Sequence, residues 1–223
     1  MSFPPHHQRN APKKRFYASH CPPLIGITVA LALIVGSANG ANLIVNGSFE
    51  AGAGTGTDKF TGWTKENVPT NSPASVIVYN STAAYPTSAF TEAVTPSNAT
   101  SASPDAVGNY AAYFVGDLSV NETIFQYTYL TPGNYRLGFD WYLTQNGLGN
   151  PNNASISVQI IGVQVAATHI DNLSVAKVWD NENAVASITL AGYYKTSLVF
   201  NSNGTPAKDV VIDRVYAMPT TDV

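Results

Sequence analysis

From residue 41 onward the chain has no stretch of helical periodicity, and that absence is its tightest constraint. What it has instead is short runs rich in Val, Ile, Tyr, Phe and Thr, each bounded by Gly, Pro or Asn. Such runs read as β-strands, because branched and aromatic side chains suit a pleated, half-buried surface. They fall at 42–46, 75–79, 109–115, 123–129, 134–143, 155–161, 185–190, 196–201 and 210–217. Pro132-Gly133 suits a tight turn with positive φ at the glycine, and Asn203-Gly204 a turn between two strands. Segments 51–72, 80–108 and 146–153 read as loops; the second is long for a compact domain. Many short strands without helices imply an all-β sandwich or barrel.

The first 40 residues read differently. A basic stretch (Arg9, Lys13, Lys14, Arg15) precedes an apolar run over 24–35 and then the small residues Gly36-Ser37-Ala38-Asn39-Gly40. This is the pattern of a secretory signal, with cleavage expected before Ala41. The apolar run is shorter than the ~20 residues a spanning helix needs, so no membrane insertion is expected after cleavage. The expected organisation is a signal peptide over 1–40, a β-sandwich over 41–219 and a short tail over 220–223.

Removing the leader changes which chemistries remain. Seven of the 11 Lys and Arg, and all 14 Asp and Glu, lie beyond it, which leaves an excess of seven acids. An acidic product without a basic patch is a poor nucleic-acid binder. The only cysteine, Cys21, leaves with the leader, so disulfide, zinc-thiolate and thiol-nucleophile chemistry leave with it. His169 is the only histidine of the remainder, and no Gly-x-Ser-x-Gly elbow accompanies it. Gly52-Ala53-Gly54-Thr55-Gly56 lacks the Lys-Ser/Thr of a phosphate loop. A pair of carboxylates for glycoside hydrolysis leaves no mark in sequence spacing, and Asp140 or Asp117 with Glu122 are the candidates.

Alternation sharpens the picture in one strand. Over 135–143 the odd positions are Tyr135, Leu137, Phe139, Trp141 and Leu143, a core face. The even positions, Arg136, Gly138, Asp140 and Tyr142, are expected to face solvent, where a cation, a carboxylate and a phenol surround a glycine gap. With Trp179, expected to be exposed beside Asp180, they form a candidate ligand-binding set for a sugar. Trp63 and Trp141 are expected to pack in the sandwich. Asp180-Asn181-Glu182-Asn183 lacks the glycine and distal glutamate of a 12-residue calcium loop and reads as a solvated turn.

The opening Asn42-Leu43-Ile44-Val45-Asn46-Gly47-Ser48-Phe49-Glu50, followed by Gly62-Trp63, resembles the start of galactose-binding-like jelly-roll domains. These occur in many bacterial carbohydrate-binding modules. Gln126, the turn Pro132-Gly133-Asn134-Tyr135 and the closing Val211-Ile212-Asp213-Arg214-Val215 follow in the family's order. The resemblance covers nearly all of 42–217. It implies a single jelly-roll sandwich and a non-catalytic module for polysaccharide of the envelope or extracellular matrix. It also implies a structural Ca²⁺ held by Glu50 and Asp213 with backbone carbonyls. The same opening is common in exported bacterial proteins with a PEP-CTERM sorting segment; the sequence stops at Thr220-Thr221-Asp222-Val223, about where that segment would start, and departs from the pattern there. The other readings are a structural or adhesive matrix protein without a small ligand, and a small glycoside hydrolase.

Overall fold

A computed structural model describes residues 40–222, except 53, 80–88, 91, 93, 95–107, 119 and 120. The expected leader, Gly40 apart, lies outside the described residues, as does most of the expected loop 80–108.

The described chain forms ten strands: β1 (Thr64–Glu66), β2 (Ser75–Val78), β3 (Tyr110–Phe114), β4 (Asn121–Leu130), β5 (Gly133–Leu143), β6 (Ala154–Ile160), β7 (Val163–Ile170), β8 (Trp179–Ile188), β9 (Gly192–Ser202) and β10 (Val210–Thr220). One short helix, α1 (Gln145–Gly149), interrupts them, with the Thr144 hydroxyl accepting from the Gly147 N–H at its start. The strands build two five-stranded antiparallel sheets, ordered β1-β4-β9-β6-β7 and β2-β3-β10-β5-β8. The two sheets form a jelly-roll β-sandwich. Among the described residues no helix is long and apolar enough to cross a membrane.

The main core lies between the sheets. It includes Leu137, Phe139 and Trp141 from β5, Ile156 and Val158 from β6, Leu198 and Phe200 from β9, and Val210 and Ile212 from β10. The odd positions of β5 therefore face inward, as alternation requires. Trp63 packs in the same core, stacked on Phe49, and its indole N–H donates to the Asn46 carbonyl at 3.0 Å.

β1 lies inside the expected loop 51–72 and α1 largely inside the expected loop 146–153, and three further elements depart from the sequence reading. The opening segment 42–46 is not a strand. It is held by side chains in place of a ladder: Asn42 Nδ2 donates to the Val215 carbonyl, and its Oδ1 accepts from Ala217 N and Ile44 N. Gln126 clamps Val45 through both backbone groups, at 2.8 and 2.9 Å. Gly47 presses so closely on β10 that a Cβ would stand 2.0 Å from the Val215 oxygen. Strand β7, with its mixed Val-Gln-Val-Ala-Ala-Thr-His-Ile composition, carried too weak an alternation to be recognised. Finally, β8 begins at Trp179, so 180–183 is strand and not turn. Pairing with the neighbouring strand β5 holds these four polar residues extended.

A second buried cluster covers the outer face of sheet β2-β3-β10-β5-β8. Ile77, Ala111, Tyr113, Val211, Tyr142 and Trp179 lie beneath Ala89, Phe90 and Val94. The described part of the expected long loop thus closes over this face and is fixed to it: Val94 N donates to the Tyr79 carbonyl at 2.6 Å, and Phe90 meets Tyr113 edge-on.

Candidate functional site

The even positions of β5 point away from the main core, as expected, but the exposure expected of them does not follow. Asp140 is fully buried and ion-paired with Arg214; its Oδ1 accepts from Asn181 Nδ2 at 2.8 Å. A bulge of one extra residue in β10 between Asp213 and Tyr216 accompanies the turned-in Arg214. Tyr142 is buried against Trp179, and its hydroxyl donates to Glu92 Oε1 at 3.1 Å. Burial and the Glu92 charge both raise the Tyr142 phenol above its ordinary range. Trp179 is 3% exposed, packed edge-on to Tyr79. Only Arg136 keeps a partly open side chain, and it is engaged by Asn183 Oδ1 at 2.5 Å and by Asp222. The expected surface is thus a covered one, because sequence spacing does not show that a distant segment lies over it.

The carboxylate pairs weighed for hydrolysis are also occupied. Glu122 is buried, accepts from Ala74 N through both oxygens and pairs with Lys65 at 3.3 Å. Asp140 is committed to Arg214.

Glu50 and Asp213 do come together. The Glu50 Oε1 accepts from Asn109 N and Tyr110 N, each at 2.7 Å, which fixes its orientation. Asp213 is buried, and its Oδ1 has no hydrogen-bond partner. Burial raises the Asp213 carboxyl well above the usual range, and the Glu50 charge adds to the rise against the pull of Arg214. A buried carboxylate oxygen without a donor, beside a second carboxylate, suits a hard divalent cation. No cluster of three or more His, Cys, Asp or Glu among the described residues could hold a metal alone. Backbone carbonyls and water would have to complete such a shell.

The open aromatic surface lies on the other sheet. On β4 the odd positions Phe125, Tyr127 and Tyr129 face outward, and Tyr193 of β9 stands opposite Tyr129. Tyr127, Tyr129 and Tyr193 are 64%, 52% and 74% exposed. Phe125 and Tyr127 meet edge-on with centroids 5.9 Å apart, and Tyr129 and Tyr193 at 5.2 Å. Lys195 sits 4.1 Å over the Phe125 ring and is held by Glu66 at 2.6 Å. Alternate residues of a strand repeat every ~7 Å, so the row presents successive ring faces and edges along about 13 Å. Ser157 and Gln159 supply hydroxyl and amide groups on the same face, joined at 3.1 Å.

A cleft of about 420 Å³ opens at the sandwich edge, where β7 of one sheet meets β8 of the other. Trp141, Thr168, Asp180 and Glu182 line it together with apolar residues of the β7–β8 connection. Burial, and then the Asp180 charge, raise the Glu182 carboxyl above its ordinary value. His169 borders this cleft and a smaller one of about 240 Å³ lined by Asn153, Asn201 and Asn203.

No protein-family model and no curated protein matches the chain. Solved structures do. The carbohydrate-binding module TmCBM61, in complex with β-1,4-galactotriose, matches with a TM-score of 0.51 at 20% identity, over 81% of this chain and 99% of that one. The Stig cyclase Fisc from Fischerella sp. TAU, in complex with an indole ligand, matches with a TM-score of 0.51 at 19% identity, over 81% and 99%. At these identities the likeness establishes the fold, which non-catalytic binding modules and cyclases share.

Proposed function

We propose that the chain is an exported, non-catalytic module that binds polysaccharide of the cell envelope or extracellular matrix. The outward aromatic row Phe125, Tyr127, Tyr129 and Tyr193 carries this reading. Sugar rings present apolar C–H faces that pack on aromatic rings, while their hydroxyls need polar partners at the rim. A solvent-exposed row of this kind costs solubility unless a ligand covers it. The fold shared with a galactotriose-binding module supports the same reading.

A glycan array probed with the full chain tests it, with β-1,4-galactooligosaccharides and xylooligosaccharides among the probes. Saturable binding to one sugar class is expected, and Tyr127→Ala/Tyr129→Ala should weaken it about tenfold or more. No binding to any glycan, or binding unchanged in that variant, sinks the reading and favours a structural matrix protein.

A second reading draws on the edge cleft. Asp180 and Glu182 stand two residues apart on one side of a strand, a paired-carboxylate arrangement that a small glycoside hydrolase would need. Release of reducing ends from a bound polysaccharide, abolished by Glu182→Gln, would establish it.

A further inference from the structure

Along β8 the inward-facing positions change character. Ala184, Ala186 and Ile188 pack against the main core, whereas Asp180 and Glu182, in the same alternation, open into the edge cleft. Among the described residues neither carboxylate forms an ion pair, and the cleft lining holds no Lys or Arg; its one basic side chain is His169, which forms no ion pair with either. Opposite them stand apolar side chains that are open to solvent: Leu173 at 90%, Val175 at 66% and Val178 at 45% exposure. Trp141 contributes to the wall from the core side; it is 7% exposed, and its indole N–H is buried with no hydrogen-bond partner.

Each feature asks something different of an occupant. Two neighbouring carboxylates without a cation ask for positive charge. A buried, unpaired N–H asks for an acceptor, since such a donor costs free energy until it is paired. Exposed Leu and Val side chains ask for an apolar surface. A simple metal ion meets only the first demand and an apolar molecule only the last. A hydroxylated amine built on an apolar ring meets all three.

We propose that the edge cleft is a charge-selective subsite for an amino sugar with a free ammonium group. The ammonium lies between Asp180 and Glu182, a ring or hydroxyl oxygen accepts from the Trp141 indole, and the C–H face rests on Leu173, Val175 and Val178. The inference rests on the glycan-binding reading for its class of ligand, but it uses none of the aromatic row.

Calorimetric titration of the full chain with the β-1,4-linked glucosamine trimer, and separately with its fully N-acetylated counterpart, tests it. The two probes share ring and linkage and differ in charge. The free amine should bind saturably and about tenfold more tightly than the acetylated trimer, the scale of a hydrogen bond to a charged group at a partly exposed site. Asp180→Asn/Glu182→Gln should erase that preference. Trp141→Phe keeps an aromatic ring but removes the N–H, and should weaken the amine several-fold. Tyr127→Ala/Tyr129→Ala should leave the preference intact, which separates this cleft from the aromatic row. Equal binding of the two trimers, no binding of either, or a preference that survives the double carboxamide variant overturns the proposal. The comparison of the two probes needs only the unaltered chain, so it holds even where a variant fails to fold.

Discussion

Gln126 shows how a single polar residue can substitute for secondary structure. It faces inward from β4, where alternation would place an apolar side chain, and its amide meets both the N–H and the carbonyl of Val45. Glu122, also inward on β4, does the same for Ala74 N and Lys65. They share the inward face of β4 with the core residues Ile124 and Leu130, while Phe125, Tyr127 and Tyr129 point outward. Gln126→Leu leaves two half-buried backbone groups of Val45 unpaired while filling similar space. The expected loss is about 2–4 kcal/mol, read as a shift of the denaturant midpoint at unchanged slope. A change below about 0.5 kcal/mol would mean that water replaces the clamp. The sequence did carry Gln126 and the Asn42–Glu50 opening as recognisable pieces, but not their contact, which joins residues 81 positions apart. The aromatic row is not legible in the sequence either, because alternation along β4 separates two faces without showing which of them another sheet covers.

Among the elements, the most regular was the most legible. The odd positions of β5 are core and the even positions face away from it, as a period of two dictates. What alternation cannot supply is the other side of the sheet, and there Ala89, Phe90 and Val94 bury Tyr142 and Trp179. Asp-Asn-Glu-Asn at the start of β8 has turn composition; its extension comes from pairing with β5. The entry into β10 has a titrating element of its own. Asp209 is buried just before the strand and accepts from Gly116 N at 2.7 Å. Burial pushes its carboxyl up to about 7, with a smaller push from Asp117, against an unfolded value of 3.8. A folded value above the unfolded one stabilises the fold fully below the unfolded pKa, and this contribution is lost as pH rises to the folded one. The window is therefore about pH 4 to 7, and the loss across it is up to about 4 kcal/mol at about 1.4 kcal/mol per unit. Asp209→Asn keeps an acceptor for Gly116 and cannot ionise. Its stability relative to the unaltered chain should rise across that window, and a difference flat with pH would show that Asp209 titrates normally.

At the scale of the whole molecule, the start and end of the sandwich are fastened to each other. Asn42 bridges Val215 and Ala217, Leu43 N donates to the Ala217 carbonyl, and Val215 N donates to the Gly47 carbonyl. Glu50 and Asp213 lie beside this seam, where burial and the neighbouring Glu50 charge both disfavour the charged form of Asp213. We propose that Ca²⁺ between them would turn that juxtaposition into a clasp joining the two ends of the domain. A ligand that binds only the folded state stabilises it by about 2.7 kcal/mol at a hundred times its dissociation constant. For a domain of this size that corresponds to a rise in Tm of about 5–10 °C between chelator and saturating calcium. Asp213→Asn separates a metal site from a merely strained pair by its sign. If calcium binds, the variant should melt below the unaltered chain in calcium, because a ligand is lost. In chelator it should melt at the same temperature or higher, because a buried charge is removed. If the two conditions give the same melting temperature for the unaltered chain, no calcium is held. The seam then rests on the hydrogen bonds of Asn42, Leu43 and Gly47 with β10.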